Sequence, residues 1–189
     1  MAPRGEGGIV SGAYRIAYRT ILVDPPWPES GGGRIKRGAD RHYPLIPVRD
    51  MARTILTARF SPEVDAWQPA HDAHLYLWAT NNYLPDAFDL IRALGFEYKT
   101  LITWAKDRSG LGQYFRGQTE HALFAVRGSG YAVRTERKNL STLITAPRGR
   151  HSAKPNEAHE LIEARSLGPR LEMFAREPRE GWESWGNEV

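Results

Sequence analysis

The residues Ile21-Leu22-Val23 run without a polar break into Asp24-Pro25-Pro26-Trp27-Pro28, and this junction constrains the fold more than any other feature. A short apolar run that does not alternate is the pattern of a strand covered on both faces. Two successive prolines then end it, because each fixes φ and removes the N–H that a sheet ladder needs. A strand buried on both sides calls for helices on both sides, and the rest of the chain supplies them.

Pro47 at a first helical position, followed by Val48, Met51, Ala52 and Ile55, predicts a short amphipathic helix. His74–Thr80 reads as a second buried strand. Asn81, Asn82 and Pro85 then start a helix with Leu84, Phe88, Ile91 and Leu94 on one face, stopped by Gly95. Thr100–Trp104 and His121–Val126 predict two further strands. Pro155 opens a helix with Ala158, Leu161 and Ile162 facing inward, ended by Gly168-Pro169, and Leu171–Ala175 predicts a last strand. Strands alternating with helices predict an α/β fold with a mainly parallel sheet flanked by helices. The expected organisation is a flexible N-terminus over 1–14 and one domain over 15–189, with mobile loops around 28–42, 106–119 and 127–150. In such sheets ligands collect beyond the carboxyl ends of the strands, where Asp24 and Arg176 would both lie.

Composition narrows the function classes. With 189 residues the chain can bury a sizeable core, and its formal charge of +4 suits a polyanionic partner without requiring one. It has no cysteine, which excludes disulfides, zinc–thiolate sites and thiol nucleophiles. No apolar run reaches the ~20 residues of a membrane span, so a cytoplasmic protein is expected, with no membrane partner. The basic charge is concentrated: residues 106–154 hold ten Lys/Arg and three acids, whereas 155–189 hold four Lys/Arg and eight acids. That segment reads either as a solvated face or as one basic surface built from several loops. His71 and His74 have a spacing compatible with a metal, but no third ligand stands nearby, and no metal is expected. Trp78 and Trp104 lie in strand-like runs and read as core.

The acid itself suggests a chemistry. Asp24 and the carbonyl of Pro25 are two acceptors in a stiff frame, beside the π face of Trp27. Such a frame suits a planar ring bearing an exocyclic NH2, with the acceptors taking both N–H protons and the indole stacking on the ring. Held in this way, the amine nitrogen would pyramidalise and aim its lone pair at an electrophile, while Asp24 stabilises the positive charge that develops. The plainer alternative is a strand ending in a Pro-Pro turn, with Trp27 in the core.

Asp24-Pro25-Pro26-Trp27 also resembles the DPPW signature of amino-group methyltransferases. Beside it stand RHYPLIPVRDM, HLYLWAT, ITWAK, TEHALFAVRG, HSAKPNEAHELIE, LEMFAR and GWESWGNE, in that order. Over roughly residues 18–188 this set resembles the seventy-kilodalton mRNA adenosine-N6-methyltransferase-subunit family (MT-A-seventy-like), which has bacterial and phage relatives.

The resemblance implies a Rossmann-like methyltransferase fold with permuted motif order, S-adenosylmethionine as cofactor, S-adenosylhomocysteine as product, and the N6 amine of adenine as the group modified. By resemblance, Asp24 and Pro25 hold the amine, Pro26 and Trp27 shape its pocket, and Tyr43 lies beside the target base. Asp24, Lys154, Glu172, Phe174, Arg176, Asn187 and Glu188 match positions at the cofactor, the last two at its ribose. The best-known eukaryotic member has Asn-Gln where this chain has Asn187-Glu188. Glu120-His121 has the look of an acid–base pair, yet the resemblance gives it no role.

Arg34, Lys36, Arg37, Arg41 and His42 before the helix at Pro47, and Lys106, Arg108, Tyr114 and Arg116 after the third strand, flank the motif and would grip phosphates. The partner expected is nucleic acid, DNA before RNA, in a bacterial or phage-infected cell. The target base would be flipped out or single-stranded. A homodimer or a sister methyltransferase subunit is a further possible partner. The alternatives are RNA methylation, a non-catalytic methyltransferase-like subunit and a small-molecule amine methyltransferase.

Overall fold

A computed structural model describes residues 15–28, 46–59, 66–110, 114–149 and 153–186. Their framework is one seven-stranded sheet, built from β1 (Arg15–Val23), β2 (Ala66–Ala79), β3 (Glu97–Ala105), β4 (Thr119–Arg127), β5 (Leu143–Thr145), β6 (Arg170–Met173) and β7 (Glu183–Trp185), in the spatial order β5-β3-β4-β2-β1-β6-β7. Only β4 runs against its neighbours, so the sheet is mainly parallel, as the sequence predicts. Three helices accompany it: α1 (Val48–Leu56), α2 (Leu84–Ala93) and α3 (Asn156–Arg165).

β1 shows why the opening run had to be apolar. Its side chains alternate between two cores, since successive Cβ atoms point to opposite faces. Ile21 and Val23 pack with Leu75, Leu77, Leu123, Leu171 and Met173, and with Met51 and Ile55 of α1 and Leu90 and Ile91 of α2. Leu22 points the other way, to Tyr76, Trp78, Ile102, Trp104 and Ile144, and to Ala158 and Ile162 of α3. Each fully buried aliphatic side chain of this kind contributes about 1.5–3 kcal/mol. By the same alternation Asp24, next after Val23, falls on the α3 side.

Several boundaries differ from the predicted ones for local reasons. Pro47 occupies the N-cap of α1 rather than its first turn. Asn81–Tyr83 form a short 3-10 turn, and α2 starts only at Leu84 with Pro85 in its first turn. Gly95, at φ 79°, turns the chain into β3. β2 begins eight residues before the predicted strand, because Pro69, His71 and Asp72 break the apolar pattern there; opposite them the pairing with β1 shifts register between Tyr18 and Thr20. β5 and β7 have three residues each, too few to show a period, and β5 lies inside the stretch predicted as a loop.

The basic segment is divided between two ends of the sheet. Arg127 and Arg134 lie where β4 finishes and where Arg134 bridges to Ser166, whereas Arg116 and Arg148 lie at the opposite end with Asp107. Of the two readings of this segment, the described residues therefore favour a solvated face over one basic surface. Among them, no helix is long and apolar enough to cross a membrane.

Candidate active site

Because β1, β2, β3, β5, β6 and β7 are mutually parallel and β4 is reversed, the segments after six strands and before the seventh meet at one edge. Asp24, Asn81, Lys106, Phe174 and Gly186 follow strands there, while Thr119 and Glu120 start β4 and Lys154 precedes α3. This carboxyl edge is the usual ligand side of an open α/β sheet.

Asp24 is carried by a segment clamped at several points. Its N–H donates to the Met173 carbonyl at 3.4 Å, and the Trp27 N–H donates back to the Pro25 carbonyl at 2.8 Å. The Trp27 indole N–H donates to the Trp78 carbonyl at 2.8 Å. Its ring stacks on Tyr83 at 5.2 Å and 15°, and the Tyr83 hydroxyl donates to the Pro28 carbonyl. Trp27 is 7% exposed and belongs to the core. The ring expected to stack on a base is instead the anchor that fixes the Pro-Pro segment to β2. The Pro25 carbonyl spends one lone pair on this turn, and among the described residues no donor takes the other.

The carboxylate enters a chain of alternating charges. Lys154 Nζ lies 2.7 Å from Asp24 Oδ2 and 3.3 Å from Glu120 Oε2, and Lys106 Nζ lies 2.5 Å from Glu120 Oε1. The side chains are only 12% (Lys154), 13% (Glu120) and 14% (Lys106) exposed. Beneath them, Lys154 sits 5.4 Å from the centre of the Trp78 ring and Lys106 4.8 Å from that of Trp104. Cation–π attraction adds about 0.5–2 kcal/mol per contact where water is scarce. Burial pushes the Glu120 carboxyl up, but Lys154 and Lys106 outweigh it and hold it below its ordinary value. Burial likewise pushes the Lys154 ammonium down, yet Asp24 and Glu120 raise it overall, against opposition from Arg176. Glu120 and Lys154 are therefore both charged near neutrality. The Trp78 indole N–H, buried next to Lys154, has no partner among the described residues.

The remaining predicted residues group less tightly. Glu172 lies on β6 under α3, where His159 holds its Oε2 at 2.9 Å. Phe174 has φ 62° and packs its ring edge-on against Trp185 at 5.2 Å. Ala175 N–H donates to the Trp185 carbonyl, and a Cβ on Gly186 would fall 2.2 Å from the Ala175 oxygen, so only glycine allows these two segments to touch just before Asn187. Arg34, Lys36, Arg37, Arg41, Tyr43, Asn187 and Glu188 lie outside the described residues. Arg116 is exposed, as are its neighbours Tyr114 (92%) and Phe115 (90%). Lys106, expected to grip phosphate, is instead committed to Glu120. His74 is bonded to Ser166 and to the Gly130 carbonyl, and exposed His71 pairs with Asp72. Trp78 and Trp104 are core, as expected.

Sequence reasoning missed Glu120 as a member of the site. The signal was present: Lys106 and Glu120 flank a loop joining two antiparallel strands, where Ala105 pairs with Thr119, and such a loop brings its flanks together.

Fold and site together describe an α/β protein of the methyltransferase class, with a proline-fixed acid at the carboxyl edge of its sheet. A sequence model of the MT-A70 family matches residues 18–188, and the chain belongs to that family. It is 28% identical to the type II methyltransferase M.MunI of Mycoplasma sp, over 93% of this chain and 79% of that protein. It is also similar to the N6-methyladenosine RNA methyltransferases MTA1 of Pyricularia oryzae (26% identical, 91% of this chain, 47% of that protein) and of Cryphonectria parasitica (29%, 91% and 52%). The chain thus spans about half the length of the two fungal relatives.

Proposed function

We propose that this protein transfers a methyl group from S-adenosylmethionine to the N6 amine of adenine in nucleic acid, with DNA as the preferred substrate. The observation that carries the reading is Asp24, held at the carboxyl edge between the Pro25-Pro26 turn and Lys154.

The residues present fit the cofactor by their chemistry. Lys154, with Arg176 close enough to oppose its charge, offers cations to a carboxylate, and Asp24 and Glu120 offer anions near a sulfonium. The cofactor supplies an electrophilic methyl group, whose bonding electrons stay with sulfur as it becomes a thioether. The protein's task is to present the amine. Lys154 lies within reach of both Asp24 and Glu120, so it can release Asp24 Oδ2 to an adenine N–H while remaining paired with Glu120. The second N–H would meet the free lone pair of the Pro25 carbonyl. Both contacts favour a pyramidal nitrogen, and Asp24 stabilises the positive charge that grows on it as the N–C bond forms. The extra proton then leaves N6 through the carboxylates or water.

DNA is placed first because the similar Mycoplasma protein is a type II methyltransferase. RNA is the second reading, supported by the two fungal relatives. Nucleoside mass spectrometry of DNA and RNA from cells expressing the chain, beside an Asp24→Ala control, tests the proposal. N6-methyladenine in DNA that vanishes in the control is the expected result; its absence from both polymers would sink the reading. Competition between matched DNA and RNA oligonucleotides decides the substrate, and dominant transfer to RNA would overturn DNA.

A further inference from the structure

On the opposite face of β4 from Glu120, His121 is buried at 8% exposure and bonded through both ring nitrogens. Nε2 lies 2.7 Å from Asn81 Oδ1, and Nδ1 lies 3.0 Å from Thr103 Oγ1, directly across the β3–β4 ladder. A carbonyl oxygen only accepts, so the Nε2 proton points at Asn81 and the Thr103 hydroxyl donates to Nδ1. Burial lowers the pKa of His121, against a smaller upward pull from Glu120, which keeps the ring in this neutral form.

The consequence falls on Asn81, which is exposed. With Oδ1 held by a buried imidazole, its amide cannot flip, and among the described residues its NH2 has only a long contact of 3.4 Å with Thr119 Oγ1. Asn81 follows β2 after Thr80 alone and opens the 3-10 turn whose Tyr83 stacks on Trp27 and bonds Pro28. Thr119 immediately precedes Glu120. An exposed N–H donor of fixed orientation therefore stands at the carboxyl edge that also carries Asp24, and neither the ion chain nor the core accounts for it. A freely rotating surface Asn would need no buried histidine with a fixed tautomer behind it.

We propose that Asn81 is a specificity-determining residue that donates a hydrogen bond to an acceptor on a base neighbouring the target adenine, a purine ring nitrogen or a base carbonyl, and that His121 positions it. The inference rests on the nucleic-acid methylation reading above. Because the group offered is a donor, bases presenting an acceptor at that place are favoured over those presenting an amine.

The test measures methyl transfer by the wild-type chain to single-target oligonucleotides in which one neighbouring purine at a time carries CH in place of N7 or N3, or one pyrimidine lacks its O2 acceptor. The wild type should lose about fivefold to tenfold in kcat/KM at one position, as expected for one neutral hydrogen bond. Asn81→Ala should be flat at that position, with unchanged cofactor affinity by calorimetry. His121→Leu should lose the discrimination as well, and His121→Gln, which keeps an N–H toward Asn81, should recover part of it. Asn81→Ala is exposed and should fold, so the test does not depend on the buried variants. An active wild type whose discrimination survives intact in Asn81→Ala would overturn this inference and leave the methyltransferase reading standing. A wild type that modifies no oligonucleotide and binds no cofactor would overturn both.

Discussion

One face of β2 carries two buried polar clusters of different kinds. Past its middle, His74 and Tyr76 share Ser166 from the end of α3: the Tyr76 hydroxyl donates to Ser166 Oγ at 2.7 Å, Ser166 donates to His74 Nδ1 at 2.7 Å, and His74 Nε2–H donates to the Gly130 carbonyl at 2.7 Å. At its end, Trp78 lies under the Asp24–Lys154–Glu120–Lys106 chain, with Lys154 just before α3. The same strand and the same helix thus bracket a neutral cluster and a charged one. The neutral cluster is complete, each donor having one acceptor, and it fastens the helix end to the sheet. The charged cluster is poised: Lys154 is shared between two acids, and a buried indole N–H beside it has no partner among the described residues. Buried charges in that arrangement are a costly way to stabilise a fold, since desolvation offsets much of their attraction. Their placement at the ligand edge is better explained by chemistry.

The sharpest way to break this contrast is Asp24→Ala. Methyl transfer should fall by at least about a hundredfold while cofactor binding survives, measured by product formation and calorimetry. Retained turnover would remove Asp24 from the mechanism. Glu120→Ala comes next. It leaves Lys106 without its buried partner and Lys154 with Asp24 alone, so denaturant unfolding should show a loss of about 3 kcal/mol, together with reduced activity. Tyr76→Phe removes one neutral hydrogen bond from the complete cluster. It should cost about 1 kcal/mol in the same experiment and leave kcat and KM unchanged.

The smallest expected effect lies in pH dependence. Burial holds His74 below its ordinary 6.5, against the pull of the Gly130 carbonyl, and burial lowers His121 also. On acidification the unfolded chain takes up protons at these sites before the folded chain does, so the melting temperature should begin to fall below pH 6.5. Glu120 lies below its ordinary 4.5, and its contribution is lost only at still lower pH. Lys154 is raised above 10.5, so its share is lost only as pH rises past that value. Glu120→Gln should therefore leave the first decline in place and change only the steeper acid limb; an altered first decline would show that the two clusters are coupled.

The sequence made the complete parts of this molecule easier to read than the poised part. β1 ends in a plain apolar run, Ile21–Val23, that is covered on both faces, and the face of α2 was visible in its spacing. Asp24 was legible because two prolines mark it. Its partner was not: Lys154 lies 130 residues away and meets Asp24 only because α3 returns to the edge where β1 ends. Trp27 was legible as a residue but ambiguous as a surface, and burial under Tyr83 resolved it toward the core. Asn81 looked like an ordinary helix-start residue, since a buried imidazole behind it leaves no local pattern.

The lysines over Trp78 and Trp104 give the protein an optical reporter. Indole emission shifts with the electric field across the ring, and these two rings meet edge to face at 6.4 Å beneath cations tied to the acid of the motif. When a ligand draws Lys154 away from Asp24, the field on Trp78 changes with it. Intrinsic fluorescence of the unlabelled protein should therefore follow occupancy of the pocket in real time, and a Trp104→Phe variant would leave Trp78 as the ring that senses the movement.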